Sequence, residues 1–328
     1  MPPKRRKTNE KSQTKGKTRQ RDSTSSLRPH DTLWFSDGSV VLATDIHLYR
    51  VHKSMLEMYS EALSDMLDEP DGNANAETWE GVPLVKMKGD SDEEVTVLLE
   101  ALYVRNFRNS LLELKLPALS ALLSISSKYD FHDIREDVLE FLTSLFPSKL
   151  EDYETSRIHK QAPPNDQLFQ LLAVAHRCDA TLILPVLYYL CARSPLETSF
   201  EFFPTLPMEC MKGVLIGREW LRDISYRISK LALQSKMTGG ENLKICSSSP
   251  CLEAFRAQLN ESPFKFVFDL PERGILDGLD LAHSAICDTC ASEYIDLVGR
   301  SKRGAWEILP KKLVGKSWEE MSRDDGSE

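Results

Sequence analysis

The chain has 328 residues, is 41% hydrophobic and 28% charged, and carries a net charge of −9. That composition suits a globular protein of roughly two to three domains, or one large one, and excludes the fibrous and low-complexity classes. No apolar run reaches the ~18 residues of a membrane span, so no membrane partner is expected. The basic N-terminus lacks the apolar core of a secretory signal. Seven cysteines, an odd count, then point to reduced thiols in a nuclear or cytoplasmic setting. The sequon at Asn260-Glu261-Ser262 is not expected to carry a glycan.

Residues 1–30 hold ten Lys or Arg against two Asp or Glu, a charge of +8, which leaves −17 on the rest. A cationic tail on an acidic body is two objects, not one average. The tail has almost no apolar residues and is expected to be disordered. Lys4-Arg5-Arg6-Lys7 reads as a nuclear-import signal, a nucleic-acid-touching arm or a solubilising cluster. The GKT at 16–18 lacks the upstream glycine of a phosphate loop.

From residue 31 the pattern changes. LWFSDGSVVLAT and HLYRV read as a hairpin, and PLVKMKG as a third short strand. Ser54-x-x-Glu57 reads as a capping box opening one helix, with Met55, Leu56, Tyr59, Ala62, Leu63, Met66 and Leu67 on one face. Ser91-x-x-Glu94 opens a second. Helices at 117–128 and 133–145 follow, so residues 31–147 read β-β-α-β-α-α-α. Three short strands must lean on a helical cluster, an α+β arrangement.

Residues 148–164 read as a polar linker ending in Pro163-Pro164, and 165–236 as a helical extension. LLSISSKYDFHDIREDVLEFL (122–142) and LLAVAHRCDATLILPVLYYLC (171–191) align without gaps. Each reads as a helix, a turn at Asp and a second helix. A true repeat and a shared burial rule both account for the echo. A long helix is expected from Met208 to about 236, with Met211, Val214, Leu215, Leu221, Ile224, Ile228 and Leu231 on one side. Residues 237–316 read as a cysteine-containing helical region and 317–328 as a disordered tail.

Cys246 and Cys251, with Cys287 and Cys290, could supply four thiolates to a structural zinc. Helical spacing of Cys287, Cys290, Tyr294 and Leu297 equally suits packed thiols. Cys178, Cys191 and Cys210 sit in apolar helical stretches and read as core. No nucleotide-binding glycine pattern, G-x-S-x-G or H-E-x-x-H occurs. His176 and Cys178 are too close along one helix to face each other. The chain is read as non-enzymatic, with no cofactor beyond that zinc.

A basic residue at a buried strand-to-helix joint needs an acidic partner. Asp37 is the candidate for Lys53. At this joint D-G-x-V-V-L…Y-R-V-H-K-x-M-L…S-x-x-L-x-x-M-L resembles the opening of a BTB/POZ domain, and PLVKM, EEVTVLLEALY and 122–142 resemble its remainder. In style the chain is closest to BTB proteins expanded in basidiomycete fungi. The resemblance covers residues 31–147. It implies a homodimer, with Asp37, His52 and Lys53 near a charged groove and Met55, Leu56 and Tyr59 in core or interface. It also implies an adaptor that links an unknown protein partner, through the C-terminal region, to a cullin-based ubiquitin ligase. Leu67-Asp68-Glu69 fits the cullin-gripping element of animal adaptors only loosely. The alternative is a nuclear transcription or chromatin factor whose basic tail attracts nucleic acid.

Overall fold

A computed structural model describes residues 27–68, 77–103, 107–234, 251 and 287–325. Lys4, Arg5, Arg6, Lys7 and Cys246 lie outside the described residues. The architecture is α+β, as the strand and helix pattern implies, with a small sheet against a large helical cluster.

The sheet has five strands where three were expected. They are β1 (Arg28–Trp34), β2 (Val40–Ala43), β3 (His47–Val51), β4 (Thr78–Trp79) and β5 (Val82–Lys86), in the order β1-β3-β2-β5-β4. The β2–β3 hairpin is antiparallel, β5 joins β2 in parallel, and β4 folds back on β5. The added edge strand β1 runs parallel to β3, so part of the expected tail belongs to the sheet. Its Pro29 suits an edge, where no ladder donor is lost. Along β2 the side chains alternate. Val40 and Leu42 enter the main core, while Val41 and Ala43 pack with Leu48 under Trp34 and Trp79.

The helix expected from Ser54 breaks into α1 (Lys53–Tyr59) and α2 (Glu61–Asp68). Ser60 is extended at the break, and its hydroxyl accepts from Leu63 N–H at 2.9 Å, capping α2. The Ser54 capping box does not form, because the N-cap position falls two residues earlier, at an uncapped His52. The Ser91 box does form. Ser91 Oγ accepts from Glu94 N–H at 3.2 Å and Glu94 returns to Ser91 N–H at 2.9 Å, opening α3 (Asp92–Tyr103).

Next come α4 (Phe107–Ser110), α5 (Leu116–Lys128) and α6 (His132–Leu145). The expected linker instead holds α7 (Leu150–Thr155) and α8 (Arg157–Lys160), which bury Leu150, Tyr153 and Ile158. Then follow α9 (Asn165–Arg177), α10 (Leu184–Arg193), α11 (Leu196–Phe202) and α12 (Met208–Gln234). On α12, Val214 and Leu221 are buried but Leu215 faces solvent.

The sequence echo is a shared turn. Asp130 and Asp179 both adopt positive φ, 56° and 53°. Phe131 N–H reaches Ser126 O, and Ala180 N–H reaches Ala175 O, each at 2.9 Å. Both are helix ends with a left-handed residue and a buried one after it. Beyond the turn the hairpins differ, since a 3₁₀ turn at Thr181–Ile183 precedes α10.

The chain closes with α13 (Asp288–Leu313) and α14 (Trp318–Asp325). The expected disordered tail is therefore helical over most of its length. A capping box missed in the sequence opens α14: Glu320 N–H donates to Ser317 Oγ at 3.2 Å, and Ser317 N–H to the Glu320 carboxylate at 2.6 Å. Met321 is buried and Trp318 stacks on Trp306.

Helix α12 packs closely on α10 because Gly213 has no side chain. A methyl there would sit 2.5 Å from the Tyr188 ring, which is itself buried. Gly213→Ala should cost about 1–3 kcal/mol despite alanine's better helix propensity. In α13, a methyl on Gly304 would meet nothing. Gly304→Ala should stabilise by about 0.5–1 kcal/mol. Urea midpoints of the two variants should move in opposite directions.

Candidate interaction face

The β3–α1 joint is built on His52, the residue before α1. Its backbone N–H and its Nδ1 both contact the Tyr103 hydroxyl, at 3.0 Å each. The backbone N–H can only donate, so the hydroxyl accepts there and offers its own proton to Nδ1. Nε2 then carries the ring proton and faces Asp37 Oδ1 at 3.4 Å. The Phe35 ring stacks on Tyr103 with centroids 4.7 Å apart and lies 5.2 Å from the His52 ring. The end of β1 and the start of α1 are thus clamped by aromatic contact. Hydrogen bonding from its own backbone N–H, then from His52, holds the Asp37 carboxyl below its ordinary value. Burial pushes the Tyr103 hydroxyl up.

Asp37 is therefore the partner of His52, not of Lys53. Lys53 turns the other way, to Asp68 at 2.5 Å and Glu57 at 3.1 Å, and latches the start of α1 to the end of α2. It is part-exposed, so the expectation of a buried charge pair with Asp37 is corrected. The reason is geometric: α2 turns back at Ser60 and brings Asp68 to the Lys53 ammonium. Exposed pairs of this kind are weak. Lys53→Ala should leave the thermal melting temperature nearly unchanged, whereas Lys53→Glu, a third acid at that spot, should lower it measurably.

Of the apolar residues singled out on α1, Leu56 is fully buried in the core and Met55 is half-buried. Tyr59 is 43% exposed. Beside it Met58, which the sequence reading passed over, is 69% exposed. Its position four residues after Ser54 on an outward row was the available signal.

A second polar cluster, also missed, lies under α3. Asp92 accepts from Thr44 Oγ1, from the Tyr49 hydroxyl at 2.9 Å and from His47 Nδ1 at 2.8 Å. Arg28 Nε–H donates to His47 Nε2 at 3.3 Å, which puts the ring proton on Nδ1. His30 stacks on Tyr49, centroids 5.0 Å apart. Burial works against the Asp92 charge, but the hydrogen bonds from Thr44, His47 and Tyr49 outweigh it and hold the carboxyl below its usual value. Burial also pushes the Tyr49 hydroxyl up.

Among the four thiols considered for zinc, Cys287 N–H donates to Cys251 Sγ at 3.4 Å. Cys290 lies in the first turn of α13, and its side chain falls outside what is described. The contact with Cys251 is made by the Cys287 backbone, and Cys246 lies outside the described residues, so the four-thiolate site is not described as a whole. Cys178, Cys191 and Cys210 are buried, as expected for core thiols, and burial pushes Cys191 and Cys210 up. No helix among the described residues is long and apolar enough to cross a membrane.

No protein-family model matches the chain, and searches of curated proteins and of solved structures return no match.

Proposed function

We propose that this chain is a non-enzymatic protein-interaction module that forms a homodimer through the outer face of α1, in the manner of a BTB/POZ domain. The observation that carries the reading is the adjacent pair Met58 and Tyr59, both exposed on the helix that buried Leu56 anchors to the core. Large apolar side chains held outward on a short, well-anchored helix are what an interface core needs. The strand and helix order of residues 31–147 supports the same assignment. A dimer would present two copies of whatever the C-terminal helices bind, raising affinity through effective concentration. Light scattering at tens of micromolar should give twice the chain mass, and Met58→Glu with Tyr59→Glu should return it to one. A monomeric wild type rejects the reading.

Within that class we propose a substrate adaptor of a cullin-based ubiquitin ligase, tested by pulldown with a purified cullin N-terminal domain. A nuclear factor using Lys4-Arg5-Arg6-Lys7 is the second reading, favoured by the +8 charge of residues 1–30. Removing residues 1–26 should abolish nucleic-acid binding in that case and leave cullin binding intact in the first.

A further inference from the structure

We infer that the chain's own basic N-terminal segment, residues 1–26, docks in an acidic groove between α3, α5 and α9. The groove encloses about 420 Å³. Its lining includes the carboxylates of Glu93, Glu94 and Asp166 against the single guanidinium of Arg177. Glu94 is tied to Ser91 in the capping box, and Arg177 donates to Ser124 Oγ at 3.1 Å. Among the described residues Glu93 and Asp166 have no ionic partner. Each stands in the first turn of its helix, α3 and α9.

The second observation is Ser120. It lines the groove, is 1% exposed, and its hydroxyl has no hydrogen-bond partner among the described residues. Leaving a buried hydroxyl without a partner is unfavourable, so a polar ligand atom that reaches it would be rewarded. The groove thus asks for an occupant that is cationic at the rim and offers hydrogen bonds at the floor.

Residues 1–26 have that chemistry. They hold nine Lys or Arg against two acids, interleaved with Ser, Thr, Gln and Asn. The first described strand also begins beside the groove. Arg28, the first residue of β1, donates to His47, and His47 is bonded to Asp92. Asp92 lies between Ser91 and Glu93 of the groove wall. The seven residues from Arg28 back to Arg21 span up to about 25 Å when extended, which gives Arg21, and Arg19, Lys17 and Lys15 behind it, the length to approach the groove. This inference does not depend on the dimer reading, since it uses a different face.

The test uses the intact chain. A zero-length carbodiimide reagent, which joins lysine amines to carboxylates, should link Lys15 or Lys17 to Glu93 or Asp166 within one chain, and several-fold less at 0.5 M salt. Mixing ¹⁴N and ¹⁵N protein separates links within a chain from links between chains. In the full-length double variant Glu93→Gln, Asp166→Asn, trypsin should cut after Arg19 and Arg21 several-fold faster than in wild type at low salt. Circular dichroism on the same sample checks that the variant is folded. Links scattered without preference for these two carboxylates, links formed only between chains, or equal cleavage rates would each overturn the inference.

Discussion

Trp306→Ala should cost about 3–5 kcal/mol and loosen two segments far apart in sequence. The indole is buried in the last third of α13. It lies 4.9 Å from the Tyr153 ring on α7 and stacks at 6.0 Å on Trp318 of α14. Its Nε1–H donates to Ser148 O at 2.6 Å. One turn away, buried Lys302 pairs with Glu154 at 3.0 Å. Truncating the indole therefore opens a large cavity, leaves a carbonyl at the start of α7 without its donor, and removes the ring against which α14 rests. Chemical denaturation should give the loss in one transition. Hydrogen exchange should show the amides of 150–160 and 318–325 opening together. A loss under about 1 kcal/mol would mean that α13 lies on the fold without completing its core.

The same contacts explain why this part of the fold was hard to read. Between residues 148 and 164 the apolar residues are few and widely spaced, and no helical stripe stands out locally. Tyr153 is buried by Trp306, more than a hundred residues on, a partner that no local window contains. Most of the local signals held, although the Ser54–Glu57 box did not form. The Ser91–Glu94 box, the ends of α5 and α6, and the turns at Asp130 and Asp179 are all set by residues within a few positions of each other. Ser317–Glu320 is an equally local signal, obscured by the charged residues around it. The joint at His52 failed in an instructive way. The sequence marks a polar joint beside Asp37, but which of His52 and Lys53 meets it depends on the break at Ser60. That break rests on a hydrogen bond from Ser60 to the Tyr129 carbonyl, beyond the reach of any helical period. Met58 went unread because an outward methionine breaks no local rule.

Asp92→Ala should cost about 2–4 kcal/mol, since it removes the acceptor of three converging donors, Thr44, His47 and Tyr49. Tyr49 keeps its contact with Thr96 at 2.7 Å, which limits the loss. Asp92→Asn is the sharper probe. An amide can still accept from Thr44 and Tyr49, but its NH₂ would then face the Nδ1–H of His47, donor against donor. Moving the ring proton to Nε2 relieves that clash only by setting it against the Arg28 donor. The Arg28 end of β1 should therefore detach, visible as faster amide exchange in residues 28–30. The pH dependence has a definite sign. Asp92 is held below the ordinary aspartate value in the folded chain, so its contribution is fully present above that value, about 4, and is lost as the pH falls through the lower folded value. Stability measured from pH 6 downward should fall less steeply in Asp92→Asn than in wild type. Parallel curves would show that the Asp92 charge is not what holds the hairpin, β1 and α3 together.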